Sequence, residues 1–217
     1  MFEYILGWIS YLLFVYFSLP KKYNSATITS NLVSLTHAIL TILGSLYFIV
    51  YDNYGDTFST NKLCLIKISS AYFIYDCLFM IIHNLLFNGR SSIIFLSHHL
   101  IILSVYYITT TYDYGSKLVI FTLFWGELTN PLQIIWVLSR YLTYKKIEAY
   151  IFPVFSFNFM IIRSMVIPYM NYTIIKSLMN NKYYYPNIGL IILSTLGNIG
   201  GFIWIRGIIN KLIKLIK

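Results

Sequence analysis

The residues of this 217-residue chain that could do chemistry sit inside long runs of Ile, Leu, Phe and Tyr, where ionisable groups are rare. They are His37, Lys67, Asp76, His83, His98, His99, Glu127 and Arg163. An imidazole can take a proton from an attacking group or carry an acyl group, and a carboxylate beside it can support either role. In lipid a central Asp or Arg costs about 2.5–3.5 kcal/mol on translocon scales. Such a residue persists only by facing a polar interior, finding a partner or doing chemistry. Lys67 lies near a span end, where its long stem can snorkel to the interface. The others ask for an explanation. His and carboxylate are good metal ligands, but no His-x3-His or Glu-x-x-His pair falls on one helix, so no metal site is expected.

The elements that carry these residues follow from composition. The chain is 58% hydrophobic and 11% charged, whereas a soluble domain is about a quarter charged. Its apolar runs are bilayer-length, roughly 20 residues each. The expected spans are Tyr4–Leu19, Leu32–Tyr51, Leu63–Phe87, Ile93–Thr110, Lys117–Ser139, Tyr150–Met170 and Ile188–Arg206. Turn-rich segments Asp52–Thr60 and Tyr112–Ser116 and a tyrosine-rich loop Asn171–Pro186 separate them. Lipid offers no partner to an open strand edge, so the fold class is all-α, a polytopic membrane protein with about seven transmembrane helices. The organisation reads as 1–31, a first span and loop; 32–206, a multi-span domain; and 207–217, a basic tail. The first span has no basic segment before it and no small-residue cleavage site after it, and reads as retained.

The net charge of +9 does not point to nucleic acid, because the basic residues lie in short loops and at the C-terminus and form no basic face. With seven spans, one set of loops holds Lys21, Lys22, Arg90, Arg140, Lys145, Lys146, Arg206, Lys211, Lys214 and Lys217; the other holds Lys62, Lys117, Lys176 and Lys182. The positive-inside rule then puts the C-terminus in the cytosol and the N-terminus outside. In Ile208–Lys217 the lysines and the apolar residues segregate to opposite sides, as in an amphipathic surface helix; a plain basic stop reads equally well. Cys64 and Cys77 fall in one helix about 20 Å apart, beyond disulfide reach.

Depth along the helices groups the polar residues. His37, His83, His98 and His99 all fall in the basic-loop half of the membrane, with Asp76 and Glu127 nearer the middle and Arg163 past it. Tyr72, Asp76 and His83 share a face of the third span, as do Glu127, Asn130 and Pro131 on the fifth. Pro131 cannot hydrogen-bond the Glu127 carbonyl, leaving an acceptor beside that carboxylate. Any one of these residues could be polar glue worth about 1 kcal/mol. Histidines on three helices at similar depth, with two carboxylates, read better as a functional cluster. Gly197 and Gly201 read as a packing step.

In order, Ser34-Leu35-Thr36-His37-Ala38, Ala71-Tyr72-Phe73-Ile74-Tyr75-Asp76, His98-His99, Glu127-Leu128-Thr129-Asn130-Pro131 and Arg163 with Pro168 resemble the TLC-domain family, over about Leu32 to Arg206. The resemblance implies a six-helix bundle around a lipid-sized cavity, with the first span added, in the endoplasmic reticulum. That family includes ceramide synthases, which acylate a long-chain base from acyl-CoA, and relatives that influence phospholipid composition. By resemblance His98 and His99 are the catalytic pair; from their position inside the spans, His37, Tyr72, Asp76, His83, Glu127, Asn130 and Arg163 are expected to line or support the cavity. The synthases' two aspartates three residues apart are matched here by Glu127 and Asn130, so one carboxylate is missing. The extended synthase signature is absent too, which places the chain nearer the phospholipid-modulating branch. Membrane lipids are the expected partners. No cofactor is expected, and acyl-CoA enters as co-substrate only if the chain is an acyltransferase. A transporter is the third reading; it should show half-helices broken by Gly or Pro in matching spans.

Overall fold

The computed structural model describes residues 1–23, 25–51, 57–87, 93–179 and 184–216, and its regular structure is entirely helical. The helices are α1 (Phe2–Ser18), α2 (Ala26–Tyr51), α3 (Thr60–Phe87), α4 (Ile93–Thr111), α5 (Ser116–Glu127), α6 (Asn130–Tyr141), α7 (Lys145–Ile161), α8 (Ile167–Met179) and α9 (Tyr184–Ile216). A π-turn, Ile162–Val166, joins α7 to α8. Six segments are long and apolar enough to cross a bilayer, with α5–α6 and α7–α8 each serving as one. The 17 residues of α1 reach about 25 Å, the short end of what spans a hydrocarbon core.

The six long segments close into a ring. Around it, α2 packs on α3, α3 on α4, α4 on α9, α9 on α7 and α8, α7 on α6, and α5 and α6 return to α2. From outside the ring, α1 packs against α2 and α3. Large apolar side chains such as Phe17, Leu43, Leu85, Ile93, Phe157 and Met165 are left exposed, a surface that suits lipid. The largest buried cluster draws Trp8, Val33, Ile66, Tyr72, Phe73, Tyr106 and Leu123 from α1 to α5. Gly44 lets α2 approach α3, since a Cβ there would stand 2.9 Å from Leu65 Cδ1.

Several helix ends differ from the hydropathy reading, because a helix ends where its backbone bonds end, not where polarity begins. Ser25 caps α2 by accepting from the Ile28 N–H (3.2 Å), and the polar first turns satisfy themselves: Thr29 Oγ1 donates to the Ser25 carbonyl (2.9 Å) and Asn31 Nδ2 to the Thr27 carbonyl (2.8 Å). Helix α2 therefore begins at Ala26, not Leu32. For the same reason α8 continues to Met179 through much of the segment expected as a loop, and Asn171 is helical, its side chain donating to the Ser194 carbonyl (3.5 Å). Segments 52–56 and 88–92, which include Arg90, lie outside the described residues, as does Lys217.

Two prolines interrupt the long segments. Pro131 has no N–H to offer the Glu127 carbonyl, and the fifth span breaks at Leu128-Thr129 before α6 starts. Pro168 cannot donate to the Ser164 carbonyl, and the sixth span absorbs that gap as the π-turn that carries Arg163. These breaks fall in consecutive spans, so the matched, symmetric pattern expected of a transporter is absent among the described residues.

Candidate functional site

Among the described residues, two adjoining chambers lie inside the ring. One, of about 450 Å³, lies toward the end carrying the α6–α7 turn and the C-terminal end of α9, called here the basic end; its walls come from α2, α3, α4, α6, α7 and α9. The other, of about 120 Å³, lies toward the α4–α5 turn and is mostly apolar, with Ile102, Val105, Leu118, Leu123 and Leu193 on its walls. Phe73, His98, Glu127 and Arg163 line both and form the partition between them.

Each polar group at the partition is held by its local structure. Glu127 ends α5, and Asn130, opening α6, donates from Nδ2 to Glu127 Oε2 (2.8 Å). The helix break brings these two side chains together and opens the carbonyls of the last α5 turn. One of them, Gly126, accepts from Arg163 Nη2 at 3.3 Å. The Arg163 guanidinium also lies over Phe159, 5.4 Å from its ring centre, while its Nε has no hydrogen-bond partner among the described residues. Gly201 stands beside the Arg163 stem, where a Cβ would be 3.7 Å from Cδ.

The three histidines of the larger chamber have different settings. His37 is fully buried, stacked on Tyr72 at 3.8 Å with nearly parallel rings, and its Nε2 hydrogen-bonds to Ser69 Oγ at 3.1 Å. Its Nδ1 lies 3.8 Å from Glu127 Oε2. Tyr72 in turn donates to Ser34 Oγ at 2.7 Å. His99 points at α3: its Nδ1 is 3.3 Å from Asp76 Oδ2, close enough to pair but without the alignment of a hydrogen bond. His98 presents its edge to Trp204 of α9, 5.1 Å away, and is the histidine that borders both chambers.

Asp76, Tyr72, His37 and Asn130 also line the larger chamber. His83 does not; it stacks on Phe79 near the end of α3. Seven residues beyond Asp76 is about 10 Å along the axis, which carries it past the chamber although it follows the same face.

Three participants were not apparent from spacing. Trp8 of α1 donates from Nε1 to the Ile68 carbonyl (3.1 Å) and sets its edge against His37 and Tyr72. Trp204 backs His98. Lys211 does not project outward on a surface helix, because α9 runs unbroken to Ile216 and turns this ammonium inward, 3.9 Å from the centre of the Trp136 ring. Gly197 is likewise not a packing contact: a Cβ there would meet nothing within 4 Å, since the residue faces the smaller chamber.

The profile of the TLC domain matches residues 27–210. The chain belongs to the TLC domain family. No curated protein and no solved structure matches it at a significant level. The matched region runs from the first turn of α2 into the last turns of α9, so the TLC domain comprises the closed ring and α1 is the helix outside it. Within that domain stand an imidazole reachable from two chambers, a carboxylate held by an amide and a guanidinium with an unused donor. Such a set can orient a carbonyl or head group and move a proton.

Proposed function

We propose that this TLC domain protein handles membrane lipids, with an acyl chain in the apolar chamber and its polar group at His98, Glu127 and Arg163, and that it thereby alters membrane lipid composition. The observation that supports this is the shared partition: His98, Glu127 and Arg163 stand at the junction of a mostly apolar chamber and a larger one with more polar side chains on its walls, as an amphiphile requires. The missing second carboxylate at Asn130 favours the phospholipid-modulating branch. The excess of basic residues at one end of the bundle supports a cytosolic C-terminus, with the endoplasmic reticulum as the membrane. Native mass spectrometry of the purified protein tests the reading. A lipid retained at about one per chain in the wild type and lost on Gly197→Phe is expected; an empty wild-type protein contradicts it.

His98 favours a second reading, acyl-CoA-dependent acyl transfer of the ceramide-synthase type. A neutral imidazole bordering both chambers could meet an amine on one side and a thioester on the other. In that step the amine nitrogen forms the new bond to the acyl carbon, His98 takes the amine proton, and the thiolate leaves and recovers that proton. Purified protein that releases free thiol from acyl-CoA only in the presence of a long-chain amine, and loses this on His98→Ala, would favour it over binding alone.

A further inference from the structure

The larger chamber is lined by a cation, Lys211, that has no hydrogen-bond acceptor among the described residues. Its Nζ is buried and lies 3.9 Å from the centre of the Trp136 ring and 4.6 Å from that of Phe152. The ring faces stabilise its charge but leave its N–H donors without oxygen acceptors. The nearby acids are engaged elsewhere. Asp76 is beside His99, Glu127 accepts from Asn130, and Glu148, whose charge also acts on Lys211, lies 3.4 Å from Arg140 Nε and does not hydrogen-bond to Lys211. Arg140 sets a second cation over the same indole, 5.5 Å from its centre.

Two cations on one indole, one with its donors open to a chamber, suit an anion with several oxygen acceptors. Resting on the lipid-handling reading, we infer that Lys211, with Trp136 and Phe152, forms a subsite for the phosphate of an acyl-bearing ligand at the basic end of the larger chamber, with Arg140 adding positive charge from behind the indole. The phosphate accepts from Lys211 Nζ; Asn31 and Gln133, which also line the chamber, carry further donors. The rest of the ligand then runs toward His98 and the apolar chamber. Either a phospholipid head group or coenzyme A could supply that phosphate.

The full-length protein in detergent tests this with three probes: phosphatidic acid, diacylglycerol with the same chains, and a long-chain acyl-CoA. Lys211→Met should weaken at least one phosphate-bearing probe tenfold or more and change diacylglycerol binding less than twofold, while Lys211→Arg retains most of the affinity. The probe that suffers the loss identifies the source of the phosphate. Ligand-free melting temperatures confirm that each variant is folded; if Lys211→Met does not fold, failure of Lys211→Arg to bind phosphate better than diacylglycerol decides against the subsite. Equal binding of the phosphate probes by wild type and Lys211→Met overturns it, as does an equal loss of all three. Wild type that binds diacylglycerol and gains nothing from phosphate removes the subsite alone. Wild type that binds no probe removes the lipid reading with it.

Discussion

His99 Nδ1 lies 3.3 Å from Asp76 Oδ2, whereas its neighbour His98 faces Trp204 and both chambers. Adjacent residues on one helix point about 100° apart, and here that turn separates a pairing role from a ligand-facing one. His99→Ala is expected to destabilise the protein by about 1–3 kcal/mol, because it strands a largely buried carboxyl group. His98→Ala removes a group whose principal contact is an aromatic edge and should leave the melting temperature in detergent within a few degrees of wild type. Melting curves of the two single variants check this, and equal losses would contradict it.

Trp8 links the helix outside the ring to the site. Trp8→Ala removes its bond to the Ile68 carbonyl and the wall behind His37 and Tyr72, so a loss of about 3–5 kcal/mol is expected. Trp8→Phe keeps the packing and loses the hydrogen bond, so its loss should be smaller, about 1 kcal/mol. Chemical denaturation in mild detergent would order the two.

How much of this was legible in the sequence depended on what each residue costs in lipid. Asp76, Glu127, Arg163 and the histidines stood out because charge inside a span is expensive, whatever the tertiary structure. Trp8 and Trp204 gave no such signal, since tryptophan is ordinary in a membrane helix. Lys211 sat in a basic C-terminal run that a cytosolic tail explains equally well, and its inward aim is set by Trp136 and Phe152 on α6 and α7. Pro131 marked the open carbonyl at Glu127, but not that the span would break into α5 and α6 there. The π-turn at Arg163 was hidden because Pro168 can be absorbed by a kink or a bulge, and packing decides which.

Gly44 and Gly197 should respond oppositely to added bulk. Gly44→Ala sets a Cβ 2.9 Å from Leu65 Cδ1, the flexible end of a buried side chain, so Leu65 must shift and the cost should be about 1 kcal/mol or less. Gly197→Leu enters open space in the smaller chamber and should leave the melting temperature unchanged while excluding a bound chain. Thermal melting of both variants, with lipid retention measured for Gly197→Leu, checks the pair.

Topology follows from the charge distribution. Epitope tags at each end, probed after selective permeabilisation of the plasma membrane, should show the C-terminal tag accessible from the cytosol and the N-terminal tag protected. A protected C-terminal tag would reverse the assignment of the basic end.

The central claim is that His98, at the partition, acts on lipid and does not merely hold helices together. Its most direct test is the lipid profile of cells expressing wild type or His98→Ala at matched protein levels. The variant is expected to accumulate and melt like wild type yet cause none of the lipid changes that wild type causes. A variant of normal stability that leaves those changes intact would contradict it.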